Sequence, residues 1–210
     1  MLGLVIAMEE ELKILLKKLK KDDFKINKGV FDNYIFKIDN QKIVAVVSGV
    51  GKIKASAATQ FLISNFDISK IFNFGMAGGI DSSVKIGDVI NIHTSYDYDE
   101  DLSAFGHEKV ARKLVDLKTF NYKKGVSVSG DKFISDKEEA LEINKEYNAI
   151  CYDMELSAIS LISNMHKIPI ISLKYISDKA DSNADMDFNE SLKTAANTFS
   201  KFLLEIIKTV

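Results

Sequence analysis

The stretch LGLVIAMEEELKILLKKL, residues 2–19, changes the spacing of its apolar residues part-way along. Residues 2–7 form a short apolar run, as expected of a strand that is buried on both faces. From Met8 onward, four leucines recur at helical spacing with lysines between them. A buried strand that runs directly into an amphipathic helix indicates an α/β fold.

The rest of the chain continues this alternation of strand-like and helical runs. Strands are predicted at residues 31–38, 42–48, 70–75, 88–93, 125–129, 149–152 and 170–176, and helices at 52–66, 109–117, 137–147, 154–165 and 187–207. Asp39-Asn40 is typical of a tight turn, which favours an antiparallel hairpin between the first two of these strands. The alternation predicts a mixed, mostly parallel sheet that is covered by helices.

The composition is that of an ordinary globular domain. Of the 210 residues, 46% are hydrophobic and 28% are charged. No stretch rich in glycine, serine or proline divides the chain, so we predict one domain over residues 1–210. The 28 basic and 30 acidic residues leave a net charge of −2, which gives no reason to expect binding to nucleic acid or to a membrane.

The sequence carries no clear signal for export or for metal binding. Cys151 is the single cysteine, so no intrachain disulfide can form and a reducing compartment is favoured. The first residues lack the basic start and long apolar stretch of a signal peptide, so we expect a cytoplasmic location. The histidines His93, His107 and His166 lack the spacing of a zinc site. Neither a metal nor a cofactor is expected.

Carboxylates and glycines follow most of the predicted strands. Because ligands bind at the carboxyl ends of the strands in such sheets, we expect a binding site along this edge. The clusters are Glu9-Glu10-Glu11, Gly49-Val50-Gly51, residues 75–79 (GMAGG), Ser129-Gly130-Asp131, Asp153-Met154-Glu155 and Ser177-Asp178.

Each cluster has an ordinary structural explanation beside a chemical one. Asp153 is a good helix N-cap, and acidic residues at a helix start favour the positive end of its dipole. A carboxylate such as Glu155 can also accept hydrogen bonds from two neighbouring hydroxyls. Asp178, if held in a partly dehydrated cleft, would have a raised pKa and could donate a proton near neutral pH. Taken singly, the clusters leave both explanations open.

The order of the clusters resembles that in the 5'-methylthioadenosine/S-adenosylhomocysteine nucleosidases of the nucleoside phosphorylase superfamily. The matching stretches are AMEEE (7–11), SGVGK (48–52), GMAGG (75–79), SAFG (103–106), SGDKFI (129–134), DME (153–155) and ISDKAD (176–181). The resemblance implies a three-layer α-β-α fold with a central mixed sheet. It also implies hydrolysis of the N-glycosidic bond of methylthioadenosine or adenosylhomocysteine to adenine and a thioribose sugar, with 5'-deoxyadenosine as a further candidate substrate.

The resemblance gives chemical roles to three carboxylates. Asp178 would donate a proton to N7 of the adenine, and Ser177 would orient it. Glu11 would hold and deprotonate the attacking water, so the pKa values of Glu11 and Asp178 should be pushed apart. Glu155, with the backbone of Met154, would bind the 2'- and 3'-hydroxyls of the ribose.

By the same resemblance, aromatic and apolar residues would hold the rest of the nucleoside. Phe133 would stack on the purine, and the backbone of Ile134 would bind its polar edge. An apolar 5' pocket suits a thioether, which offers little to hydrogen-bond. Leu102 and Phe105 would reach in from the neighbouring subunit, which implies a homodimer. The remaining binding residues would be Met8, Val50, Met154 and Phe188 in the 5' pocket, with Gly78 and Lys174 beside the sugar.

The sequence departs from the family pattern at four places. Lys174 replaces an arginine three residues before the Ser-Asp pair, which keeps the charge but loses the two-pronged geometry. Met76 replaces a serine, His107 stands where a phenol is common, and the segment after Gly106 is short and lacks proline. We expect these changes to alter the 5' specificity and, through Lys174, the rate.

Three other functions share some of these features. A nucleoside phosphorylase would use phosphate in place of water. The single arginine, Arg112, lies outside every matched stretch, which favours water, although a phosphate site of lysines and backbone groups stays open. A hydrolase of futalosine-type nucleosides would use Asp178 in the same way. A nucleoside-binding protein without turnover would fit Met76 and Lys174, but the three carboxylates argue against it.

Overall fold

Ten strands and five α-helices make up the described part of the chain, residues 1–19, 24–117 and 121–207 of a computed structural model. The strands are β1 (Leu2–Ile6), β2 (Phe24–Asn27), β3 (Asn33–Ile38), β4 (Gln41–Val47), β5 (Lys70–Gly79), β6 (Val89–Asp97), β7 (Arg112–Lys113), β8 (Lys123–Ser129), β9 (Cys151–Asp153) and β10 (Ile170–Asp178). The helices are α1 (Glu9–Lys18), α2 (Lys52–Asn65), α3 (Lys137–Tyr147), α4 (Leu156–Met165) and α5 (Ala184–Ile206), with a short 3-10 helix at Ser103–Phe105.

The strands form one mixed sheet that is partly closed on itself. From one edge, the antiparallel strands β2, β3 and β4 lead to β1, which is parallel to both β4 and β5. β5 pairs with β10 on one side and with β9 on the other, and the path β10-β6-β8-β9 returns to β5. These strands therefore close a ring, and the first four strands extend the sheet from it.

Helices cover both faces of the sheet and bury two large apolar clusters. On one face, α1 and α5 pack together over the sheet and bury Leu12 and Phe199. On the other face, α2 and α4 bury Leu62 and Ile159. α3 covers a third cluster, which includes Ile143. None of the described helices has the length and apolar character that crossing a bilayer requires. The predicted three-layer α-β-α fold with a central mixed sheet is confirmed.

The helix predicted at residues 109–117 is wrong. Arg112 and Lys113 instead form β7, which pairs antiparallel with Ser95 and Thr94 of β6. The N–H of Leu114 continues this pairing by donating to a β6 carbonyl, that of His93, at 3.0 Å. The open edge of β6 satisfies these backbone groups, so tertiary pairing overrides the local helical spacing.

The strand predicted at residues 70–75 is longer than expected and includes the whole glycine segment 75–79. β5 continues to Gly79, and its last two residues pair with Tyr152 and Cys151 of β9. β6 and β10 also extend beyond their predicted ends, to Asp97 and Asp178. Glycine is depleted in strands, so the local residue pattern does not predict that β5 continues through this segment.

Candidate active site

A cavity of about 330 Å³ opens at the carboxyl ends of β1, β5 and β10. Glu11, Glu155 and Asp178 all line it. Glu11 lies in the first turn of α1, Glu155 is the residue immediately before α4, and Asp178 ends β10. Three carboxyls that are distant in the sequence therefore converge on the edge where the sequence predicts a ligand site.

Glu11 is the member of the acidic run 9–11 that turns inward. It is only 1% exposed, whereas Glu10 faces solvent and Glu9 accepts a hydrogen bond from the Tyr34 hydroxyl at 2.7 Å. The N–H of Met8 donates to Oε2 of Glu11 at 3.0 Å. Burial raises the pKa of Glu11 to about 7, although the Met8 hydrogen bond acts in the opposite direction. A carboxyl of this kind can take up a proton near neutral pH.

Asp178 is buried and held by two hydrogen bonds. The Ser177 hydroxyl donates to Oδ2 at 2.7 Å, and the N–H of Ala180 donates to Oδ1 at 2.9 Å. A Cβ on Gly78 would come within 2.9 Å of Oδ1, so glycine at this position leaves room for the carboxyl. Burial raises the pKa of Asp178, although the Ser177 hydrogen bond acts the other way. The raised pKa favours a carboxyl that carries a proton.

The pKa values of Glu11 and Asp178 do not shift in opposite directions. The pKa values of Glu11 and Asp178 are both raised, since both carboxyls are buried. Neither takes part in an ion pair among the described residues. The positive charge of Lys174 acts on Glu11, but Lys174 is itself paired with Asp153. Burial therefore acts on both carboxyls in the same direction.

Glu155 is fixed by a backbone donor from a neighbouring turn. It is 8% exposed, and its Oε1 accepts a hydrogen bond from the N–H of Gly51 at 2.9 Å. Gly51 has φ +105°, a backbone conformation that glycine adopts without strain. Burial raises the pKa of Glu155 to about 7, and the charge of Asp153 acts in the same direction.

Lys174 lines the cavity from β10 although it is only 1% exposed. Its Nζ lies 2.5 Å from Oδ2 of Asp153. Burial alone would lower the pKa of Lys174, but the charges of Asp153 and Glu155 raise it overall. A Cβ on Gly75 would lie 3.3 Å from this Nζ and 3.7 Å from Oε1 of Glu11. The ammonium and the Glu11 carboxylate therefore approach each other across a glycine.

The predicted aromatic and apolar residues lie largely on the cavity wall. Phe133 and Phe188 meet edge to face, with ring centroids 6.1 Å apart and an interplanar angle of 88°. Leu102 and Phe105 do not line the cavity; they lie at the 3-10 helix, where Phe105 is 78% exposed. The other predicted binding residues on the wall are Met8, Val50, Gly78, Ile134, Met154 and Ser177.

Several wall residues fall outside the sequence predictions. Asp185 and Asn189 lie one turn apart at the start of α5. Their spacing of four residues was a usable signal, but the predicted helix began after Asp185. Asn73 is a polar residue within the apolar part of β5, and this too could have marked it. Tyr152 gave no signal, because aromatic residues are common in strands.

The basic residues on the cavity wall, Lys132 and Lys174, are both ion-paired. Nζ of Lys132 lies 2.6 Å from Oε2 of Glu139. Arg112 does not line the cavity; its Nη2 lies 2.5 Å from Oε2 of Glu100. The described wall therefore offers no unpaired cationic side chain to a phosphate. Within the described residues, no group of histidine, cysteine and acidic side chains could hold a metal ion.

Known proteins resemble this chain along its whole length. The sequence profile of the phosphorylase superfamily matches residues 1–208. A relative from Staphylococcus carnosus (strain TM300), named 5'-methylthioadenosine/S-adenosylhomocysteine nucleosidase, is 34% identical over 229 residues, covering 100% of both chains. The chain belongs to this nucleosidase family within the phosphorylase superfamily. As a member of the nucleosidase family, it is an N-glycosyl hydrolase.

Solved structures share the fold of this chain at lower sequence identity. A futalosine hydrolase mutant of Helicobacter pylori strain 26695 is 26% identical with a TM-score of 0.92, covering 100% of this chain and 99% of that one. The 5'-methylthioadenosine/S-adenosylhomocysteine nucleosidase from Neisseria meningitidis, in complex with methylthio-immucillin-A, is 28% identical with a TM-score of 0.91 and the same coverage. Two substrate classes therefore occur on nearly the same fold.

Proposed function

We propose that this nucleosidase cleaves methylthioadenosine and S-adenosylhomocysteine by hydrolysis, releasing adenine and a thioribose sugar. The observation that carries the proposal is the convergence of Glu11, Glu155 and Asp178 on one cavity of about 330 Å³. A cavity of this size suits a small ligand such as a nucleoside. The printed name of the S. carnosus relative supports the choice of substrates.

Asp178 acts as the general acid. It donates its proton to N7 of the adenine while the bond between C1' and N9 breaks, so the base leaves as a neutral molecule. Glycosidic bonds break through a transition state that resembles an oxocarbenium ion, and a neutral leaving group stabilises that state. The raised pKa of Asp178 and the hydrogen bond from Ser177 (2.7 Å) support this role.

Glu11 acts as the general base toward water. The water oxygen forms a bond to C1', and its proton passes to the Glu11 carboxylate. The hydrogen bond from Met8 fixes Oε2 of Glu11 at 3.0 Å, and the water binds at Oε1. The pKa of Glu11, raised to about 7, suits a base that accepts a proton near neutral pH.

Glu155 binds the 2'- and 3'-hydroxyls of the ribose. One of its oxygens already accepts from Gly51 at 2.9 Å, and the remaining lone pairs can accept two hydroxyl donors. Phe133 stacks on the purine and the backbone of Ile134 binds its polar edge. Met154 contributes to sugar binding and, with Met8, to an apolar 5' pocket.

The 5' pocket is completed by a second subunit in this proposal. Leu102 and Phe105 are exposed, at 43% and 78%, and do not reach the cavity of their own chain. In a homodimer they close the 5' end of the neighbouring cavity. Burying these side chains gains free energy in proportion to the apolar area removed from water.

Water rather than phosphate is the nucleophile. A phosphate would need cations or several backbone donors, and the basic side chains on the described cavity wall are both ion-paired. Unpaired carboxyls at Glu11 and Glu155 would repel a phosphate dianion in a site of low dielectric.

The test is base release in phosphate-free buffer, then with phosphate added. Methylthioadenosine, S-adenosylhomocysteine, 5'-deoxyadenosine and futalosine are compared, with Asp178→Asn as the control for a contaminating activity. Adenine release without phosphate is the expected result, and release only with phosphate would overturn it. Futalosine hydrolysis is the second candidate, because a futalosine hydrolase structure is 26% identical with a TM-score of 0.92. Base release from futalosine alone would select it.

A further inference from the structure

Asp153 carries a buried carboxylate that takes no part in the proposed reaction. Its Oδ1 accepts hydrogen bonds from the N–H of Leu156 at 3.3 Å and from the hydroxyl of Ser129. Its Oδ2 lies 2.5 Å from Nζ of Lys174, and the two side chains are 0% and 1% exposed. Since β8 and the start of α4 fix one carboxylate oxygen, the other is aimed at the ammonium on β10.

Lys174 is the one cation that this part of the cavity offers to several acidic groups. Glu11 approaches it from α1, across Gly75, where Nζ and Oε1 are at most about 7 Å apart. Glu155 faces it from the start of α4, and Cys151 with Asp153 faces it from β9. Of these groups, Asp153 forms the ion pair with Lys174.

We propose that Asp153 is a positioning residue that neutralises Lys174 and thereby keeps Glu11 and Glu155 free of a strong cationic partner. The inference rests on the proposed function, in which Glu11 is the base and Glu155 binds the ribose. It assigns to Asp153 a role that is exerted through Lys174 and without contact with substrate.

The positive charge of Lys174 sets the direction in which the carboxyl pKa values would move. An unpaired cation within about 4–6 Å lowers the pKa of a carboxyl by roughly 1–3 units. When Asp153 cancels the charge of Lys174, burial is the stronger influence, in agreement with pKa values of about 7 for Glu11 and for Glu155. Without Asp153, Lys174 would act on both carboxyls with its full charge. Glu11 would then ionise at lower pH and be a weaker base.

The test compares Asp153→Asn, Lys174→Gln and the double variant. Asparagine keeps an acceptor for Leu156 and Ser129 but loses the charge, so the acid limb of the kcat/KM profile is expected to move down by about one pH unit. Lys174→Gln leaves Asp153 unpaired and is expected to move the limb up. In the double variant, a neutral amide pair replaces the ion pair, so the limb is expected near its wild-type position.

A purely structural role for Asp153 would lower the rate or the folded fraction without this pattern. Limbs that stay in place, or that move in the same direction in both single variants, overturn the proposal. Should Asp153→Asn fail to fold, Lys174→Gln and the double variant decide the question. The proposal requires the acid limb of Lys174→Gln to lie at higher pH than that of the double variant.

A second readout does not depend on turnover. The carboxyl carbon of Glu11 can be titrated by NMR in protein labelled with ¹³C-glutamate, and the variant Glu11→Gln identifies its signal. The titration midpoint is expected to shift as the acid limb does. If the wild-type protein releases no base, the proposed function fails, while this titration still supports or overturns the role of Asp153.

Discussion

Three carboxyls are buried in this cavity without a cation bonded to them, and this determines the chemistry of the individual residues. Dehydration penalises the charged form of each carboxyl. The pKa values of Glu11, Glu155 and Asp178 are accordingly all raised. Acid–base catalysis requires carboxyls that can hold or take a proton near neutral pH. The same buried carboxyls lower the stability of the fold when they are ionised.

Asp178→Asn is expected to remove the proton that adenine needs as it leaves. Asparagine has the same shape and can still accept from Ala180, so nucleoside binding should persist while kcat falls about 10²–10⁴-fold. Single-turnover assays with methylthioadenosine, together with calorimetric binding, measure the two effects. Asp181→Asn, in the same loop but off the cavity wall, is the matched control. Near-normal turnover by Asp178→Asn would show that another group protonates the base.

Glu11→Gln is expected to abolish turnover and to stabilise the folded protein at alkaline pH. The folded-state pKa of Glu11, about 7, lies above its ordinary value of 4.5. The stability linked to its proton is therefore complete below pH 4.5 and is lost as the pH rises through about 7. Above that pH, the free energy of unfolding of the variant should exceed that of the wild type by ~1–3 kcal/mol.

Urea unfolding of Glu11→Gln at pH 5 and at pH 8 measures this difference. Glu10→Gln, on the exposed side of α1, should change stability little at either pH. A gain for Glu11→Gln that is equal at both pH values would contradict the assigned titration.

At the scale of elements, the lengths of β5 and β10 bring the acid into place. The pairing of these parallel strands sets Gly78 beside Asp178, after a bulge between Ile176 and Asp178. Bulges are common next to active sites because they redirect side chains. The end of the paired region therefore determines where the Asp178 carboxyl points.

Gly78→Ala is expected to displace that carboxyl, because the new Cβ would lie 2.9 Å from its Oδ1. A shift of about 1 Å in a catalytic group can lower the rate roughly 10²-fold. We therefore expect a large loss in kcat with a smaller change in melting temperature. Gly29→Ala is the control, since the nearest atom to its new Cβ is 3.9 Å away. Unchanged kcat in Gly78→Ala would mean that the carboxyl can adjust without loss.

At the scale of the whole molecule, the proposed function requires a second subunit that completes the 5' pocket. Phe105→Ala removes a side chain that is 78% exposed, so the fold of the single chain should be unaffected. If Phe105 closes a neighbouring cavity, KM for methylthioadenosine should rise at least about fivefold, corresponding to roughly 1 kcal/mol of lost binding.

Light scattering gives the oligomeric state in the same preparation. Val30→Ala, which removes a side chain that is 91% exposed and off the cavity wall, is the control for surface truncation. An unchanged KM in Phe105→Ala, or a monomer that is fully active, would refute the shared pocket.

The sequence by itself predicted the layered α/β fold and the sheet edge at which the cavity opens, and its resemblance to a known family named half of the residues on the cavity wall. Strand and helix periodicity repeats locally along the chain, and glycines and carboxylates mark the strand ends. It failed at residues 109–117, where pairing with β6 decides the backbone conformation, and at residues 76–79, where pairing with β9 and β10 does.

Only the tertiary structure revealed that Asp153 is bonded to Lys174 and that the pKa values of Glu11 and Asp178 shift in the same direction. Both facts depend on which groups are packed together and how much water they have lost. Dehydration and charge pairing arise between side chains that are distant in the sequence, so local patterns do not contain them.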